Sequence, residues 1–147
     1  MSRTVAALLV MLASVQLAVA GEPPQDQEAW AALLPGHFTL VGRLPDNGAA
    51  YSGKAVISAH GQGFSLERTI GKKTITAQGA IEVPSPPGEG RVLRFRWQDH
   101  GPRLMTCLVQ GDLDNYARLS CLWVVEGRKH KAPGLEAYFS TETWPAD

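Results

Sequence analysis

The chain has 147 residues, with 14 Lys+Arg against 14 Asp+Glu and a formal net charge of zero. That balance argues against a nucleic-acid binder, which would show a strong basic excess. The length bounds one domain, large enough to bury most of a core without a metal.

The chain opens on MSRTVAALLVMLASVQLAVA, with one arginine (Arg3), an apolar run and small residues at Ala18 and Ala20. This is the pattern of a cleavable secretory signal, cut after Ala20, and it predicts a periplasmic or secreted protein. The run Val5 to Ala20 is short of the roughly 20 residues a spanning helix needs, and it contains Ser14 and Gln16. Gly21 rather than Cys follows, so the lipoprotein signature is missing, and no second apolar run predicts a membrane span after cleavage. Removing Arg3 with the signal leaves 13 basic against 14 acidic residues in the mature part, a formal net of −1.

Residues 21–36 read as a polar, Pro-rich leader with a short helix, in which Asp26 is placed to cap QEAWAALL and Trp30, Leu33 and Leu34 share a face. From His37 the texture changes to short β-branched and aromatic runs punctuated by Gly, Pro, Asn and Asp. The runs cover 37–44, 50–59, 63–70, 73–82, 91–98, 103–110, 116–125 and 134–141, and most of their connections are hairpin-sized. Eight strands in sequence with no crossover helix predict an all-β, antiparallel up-and-down meander closing into a full or flattened barrel over 37–141. Residues 142–147 remain as a C-terminal tail.

Alternation supports the strands. Phe64, Leu66 and Ile70 share one face with Arg68 as the exception; Leu93, Phe95 and Trp97 oppose Arg94 and Arg96; Leu119, Cys121 and Trp123 oppose Arg118 and Ser120. The interior set is therefore Phe64, Leu66, Leu93, Phe95, Trp97, Leu119 and Trp123. Gly53, in the middle of AYSGKAVISA, suggests a bend or the close approach of a neighbouring strand. A hairpin centred near Asp114 places Cys107 opposite Cys121, the only two cysteines, and in an oxidising compartment this predicts a structural disulfide.

Catalytic patterns are weak throughout. In YSGKAVISAHGQGFSLER, Ser65 lacks the G-x-S-x-G spacing of a nucleophile elbow and no helix follows. Ser52 and Lys54 share one strand face but read as wet-face residues. His37, His60, His100 and His130 fall at loops or strand starts without metal-site spacing, and Asp112 and Asp114 lack the glycine and terminal glutamate of a calcium loop. Of the carboxylates, Glu67 reads as a cross-strand partner of Lys54 or Lys73. Glu136 reads as outward if Leu135, Ala137 and Phe139 point in. No metal, no cofactor and no enzyme activity are therefore expected.

The stretch from Gly36 to Ile81, then VLRFRW and LVQGDLDNYARLSCLW, then PGLEAYF, resembles exported bacterial lipocalin-like (calycin-type) β-barrel proteins, most of them uncharacterised. The matching positions are Tyr51, Gly53 and Ile57, then Gly111, Leu113, Trp123, Gly134 and Glu136. The lipocalin G-x-W near the first strand is replaced by His37-Phe38. The resemblance covers about residues 36–140 and implies the barrel.

Two functional expectations follow. The first is an exported non-enzymatic barrel that binds a small apolar ligand or a partner protein. Tyr51, Phe64, Phe95, Trp97, Trp123, Tyr138 and Phe139 converge in a closed barrel and mostly fill it. One mouth can still hold an apolar ligand, with Tyr51, Phe64, Phe95, Trp97 and Trp123 as the contact aromatics and Arg68 or Arg94 near its rim. The alternative is an inhibitor of a secreted or periplasmic hydrolase, presenting the loops VPSPPGEG and EGRKHKAP, with Arg128, Lys129, His130 and Lys131 as contact residues.

Overall fold

A computed structural model describes residues 25–83, 91–111 and 117–141. One helix, α1 (Gln25–Leu33), precedes eight strands: β1 (Gly36–Arg43), β2 (Ala50–His60), β3 (Gly63–Ile70), β4 (Lys73–Glu82), β5 (Val92–Gln98), β6 (Pro102–Gly111), β7 (Ala117–Val125) and β8 (Gly134–Ser140). Each strand pairs antiparallel with the next, and β1 pairs with β8, so the meander closes. The expected strands match these bounds to within one residue at nearly every end. The helix begins at Gln25, so Asp26 lies inside it rather than capping it. The expected signal segment, the tail and most of the VPSPPGEG and GDLDN connections lie outside the described residues.

The alternation has the physical origin anticipated for it: inward positions are apolar and outward ones wet. The predicted interior residues Phe64, Leu66, Leu93, Phe95, Trp97, Leu119 and Trp123 are all buried. Phe38, Leu40, Ile57, Met105 and Tyr138 join them. Leu34 is fully buried in the same core, and Trp30 and Leu33 pack against it, so the segment that leads into β1 helps to fill the barrel. Eight-stranded barrels have an interior about wide enough for side chains, and this one is packed over much of its length.

Large side chains are seated by missing ones. A Cβ on Gly53 would lie 2.2 Å from the backbone oxygen of Thr69, which explains the strand-interior glycine as a close approach of β3. A Cβ on Gly79 would lie 2.4 Å from Phe95, one on Gly134 would lie 2.4 Å from Trp123, and one on Gly42 would lie 2.7 Å from Tyr51. Three aromatics thus lie over glycines.

Cys107 and Cys121 are directly opposite in the β6–β7 register and form a disulfide, with Cα atoms 4.0 Å apart. Both are buried, so the bond belongs to the core.

The sequence reading of β8 is corrected. Gly134, Glu136 and Tyr138 point inward, while Leu135 and Phe139 face out at 36% and 42% exposure. The register leaves no choice: Glu136 pairs with Cys121, and Tyr138 with Leu119 and Leu40, all inward positions. The apolar count of the strand favoured the other parity. A buried counter-charge and a ring over a small residue decided it instead.

Candidate functional site

The connections 44–49, 71–72, 99–101 and 126–133 all gather at one end of the barrel, referred to below as the mouth. Just beneath it the interior changes from apolar to polar. Arg68, the lone charge on the inward face of β3, is 6% exposed. Its guanidinium carbon lies 4.6 Å from the centre of the Trp97 ring and 5.9 Å from that of Trp123. Cation–π contact of this kind partly replaces the water an arginine loses on burial.

The rest is supplied by Glu136. Arg68 Nη1 donates to Glu136 Oε1 in a buried ion pair. The Tyr51 hydroxyl donates to the same oxygen at 2.5 Å, and the Tyr138 hydroxyl donates to Oε2. Trp123 Nε1 in turn donates to the Tyr51 oxygen at 3.0 Å. A buried ion pair is tolerable only when the remaining lone pairs are satisfied, and here both carboxylate oxygens are. Burial, reinforced by the Glu136 charge, pushes both phenols above their ordinary range, so they act as donors at neutral pH. Burial, the largest single effect, would lower the Arg68 pKa, but the charge and hydrogen bond of Glu136 together with the two phenol oxygens outweigh it and the net shift is upward.

Above this network lies a cavity of about 330 Å³, open toward the mouth. Leu44, Ile70, Ile75, Tyr51 and Trp123 make its apolar walls, and Arg68, Lys73, Asp99 and Arg103 its polar ones. Lys73 Nζ meets Asp99 Oδ1 at 2.5 Å and holds that carboxyl below the usual range. Arg103 donates from Nε to the backbone oxygen of Asp99 at 2.9 Å, with its guanidinium 5.4 Å from the Trp123 ring centre. Two buried donors beside this region, Arg68 Nε and Trp97 Nε1, have no acceptor among the described residues. Buried donors are rarely left so.

Two mouth loops are tied together by Asp46, which sits at φ 65°, a left-handed conformation that aspartate tolerates better than most residues. Its Oδ1 accepts from the backbone N–H of Lys131 at 2.7 Å, and its Oδ2 lies 2.9 Å from His130 Nδ1. His130 Nε2 accepts from the Val125 N–H at 3.1 Å, which fixes the proton on Nδ1. The His130 contact, followed by the Lys131 N–H, holds the Asp46 carboxyl below its ordinary value.

The residues expected to form a site do not all come together. Tyr51, Arg68 and Trp123 line the cavity, and Trp97 packs against Arg68. Phe64 and Phe95, 2% and 0% exposed, belong to the core and do not line it. Arg94 is not at the rim: it faces outward and pairs with Glu82 at 2.9 Å, as does Arg96 at 2.5 Å. Arg128, Lys129 and Lys131 are exposed as expected, whereas the His130 ring is taken up by Asp46 and Val125. Glu67 stands opposite Val56 and Thr76, not opposite Lys54 or Lys73.

Sequence reasoning missed Glu136, Arg103, Lys73 and the seats under Tyr51 and Trp123. The signal for Glu136 was Arg68: an inward cation on one strand calls for an inward anion on another. A second depression, a shallow groove of about 780 Å³, runs over the outer face of β1, β8, β7 and β6 past Val41, Leu108, Leu122 and Leu135. Few polar groups converge there, unlike at the mouth. Among the described residues, no three His, Cys, Asp or Glu side chains cluster closely enough to hold a metal. Compared with known proteins, the chain matches no family profile, no curated protein and no solved structure.

Proposed function

We propose that this is an exported, non-enzymatic β-barrel that binds a small apolar ligand in its mouth. The observation that carries this reading is the cavity of about 330 Å³ between Tyr51, Ile70, Ile75 and Trp123. Sites for small molecules are concave, mostly apolar and marked by a few convergent polar groups, from about 300 Å³ upward. Arg68, Lys73 and Arg103 supply those groups. Export is supported by the signal-like first twenty residues and by a buried disulfide, a bond that persists in oxidising compartments. The network under the cavity has the character of a rigid floor. Its carboxylate accepts from one cation and two phenols, which commits both of its oxygens to holding the floor together.

The test uses N-phenyl-1-naphthylamine, a neutral apolar dye whose fluorescence rises out of water. Saturable binding of one dye per chain is expected. In Ile75→Trp an indole would stand in the cavity from a half-buried, inward position of β4, and binding should be lost while the circular dichroism spectrum is kept. Absence of saturable binding by the native chain would reject the reading.

The alternative, a hydrolase inhibitor, draws support from one observation. Asp46 braces the 126–133 loop, so Arg128, Lys129 and Lys131 are displayed on a fixed backbone. A stable complex with a hydrolase, abolished by replacing Lys129 and Lys131, would favour it.

A further inference from the structure

The charge around the mouth narrows the chemistry of the occupant, and this inference rests on the binding reading above. The first two connections and the strand ends beside them carry Arg43, Lys72 and Lys73 against Asp46. The other two carry Arg103, Arg128, Lys129 and Lys131 against Asp99 and Glu126. Seven basic residues therefore face three acidic ones, a net of +4 at one end of a chain whose total is zero. A one-signed rim over a low-dielectric cleft focuses the field and raises the local concentration of the opposite ion.

Inside the rim most charges are already matched. Arg68 is held by Glu136, and Lys73 by Asp99. Arg103 differs. It lines the cavity and is half-buried, its Nε is spent on a backbone carbonyl rather than on a carboxylate, and its guanidinium lies against Trp123. A partly desolvated guanidinium of this kind is suited to donate a forked pair of hydrogen bonds to a carboxylate. The apolar walls suit the remainder of the same molecule.

From this we propose that the mouth selects small apolar monocarboxylates. The apolar body lies between Tyr51, Ile70 and Trp123, and the carboxylate is held by Arg103 at the rim. The size of the cavity suits a body on the order of ten carbons. The neutral dye above occupies the same walls without the rim contact and binds more weakly.

Two matched pairs of probes test this by calorimetry: 2-naphthoate with 2-naphthamide, and octanoate with octanamide. Each carboxylate should bind about tenfold or more tightly than its amide, as expected for a charge-assisted hydrogen bond. Its affinity should fall as salt rises from about 0.05 to 0.5 M, while that of the amide should not. Arg103→Gln should weaken the carboxylate far more than the amide, reducing the preference to about threefold or less. Arg103→Lys should restore part of it, and a thermal melt reports whether both variants are folded. Equal binding of acid and amide would overturn the anion selectivity and leave the apolar site standing. Loss of acid and amide binding together in a folded Arg103→Gln would assign Arg103 to the cavity wall and overturn its role as the anion contact. Failure of all four probes, together with the dye, would remove the binding reading and this inference with it.

Discussion

Replacing Glu136 with Gln isolates the ion pair from the shape around it. The amide is nearly isosteric and retains an oxygen for the Tyr51 or Tyr138 hydroxyl, so the change removes charge with little change of volume. Arg68, 6% exposed, is then a cation whose only compensation is the faces of Trp97 and Trp123. Breaking a buried pair by removing one partner costs about 3–5 kcal/mol. The aromatic contact, worth about 1–2 kcal/mol when desolvated, and the open cavity above it place this case near the low end, at about 3 kcal/mol. In a domain of this length that is a fall of roughly 10 °C in Tm. The double variant Arg68→Met/Glu136→Gln removes both charges together while keeping an amide oxygen for one phenol, and it should recover much of the loss, ending within about 1–2 kcal/mol of the native chain. Urea unfolding of Glu136→Gln, Arg68→Met and the double variant, followed by circular dichroism, gives the whole cycle. If the two single costs simply add in the double variant, the pair is not coupled and the account of Glu136 as the required counter-charge fails.

Removing the disulfide with Cys107→Ala/Cys121→Ala should cost about 3 kcal/mol, since it closes a loop of about 15 residues in the unfolded chain. Unfolding curves that superimpose on those of the native chain would refute this. Gly53→Ala forces its new carbon to 2.2 Å from the Thr69 oxygen, and a strand must move. The expected cost is about 1–3 kcal/mol, seen as a lower urea midpoint with an unchanged slope. Asp46 has a folded pKa below its unfolded value near 4, so its bracing of the loop is fully present above that value and lost as pH falls through the folded one. Amide exchange of the Lys131 and Ala132 N–H groups, both bonded to Asp46 Oδ1, should accelerate across that window after correction for intrinsic rates. Asp46→Asn should exchange at the fast level already at neutral pH, and equal protection in the variant would contradict the role given to the carboxylate.

The strands were legible because two-residue alternation and glycine-marked turns are local properties. The run GFSLERTI shows its parity in eight letters, and β3 occupies those eight residues. The disulfide was legible for the same reason, because symmetry about one turn pairs positions 107 and 121. The parity of GLEAYFS was not local. It was decided by Arg68, which precedes Glu136 by 68 residues in the chain, and by Trp123 requiring Gly134 beneath it. The role of Arg103 was hidden too, because a basic residue at a turn is indistinguishable in sequence from a solvated one. Phe64 and Phe95 illustrate the opposite error. Aromatic character marked them for the cavity, but depth along the strand is not written in residue type.

Seven of the eight strand pairings join neighbours in the chain, and the eighth, β1 with β8, joins residues about a hundred positions apart. Loop-closure entropy makes that seam the slow step of folding, to be zipped after the hairpins exist. The bonds Arg68–Glu136, Tyr51–Glu136, Asp46–Lys131 and Thr141–His37 all bridge the two ends of the sequence across or beside this seam. Until they form, β1 and β8 are both bare sheet edges, each open to pairing with another chain. The polar floor of the mouth is thus also the latch of the cylinder, and a variant that weakens it should reveal itself first as intermolecular strand pairing during refolding.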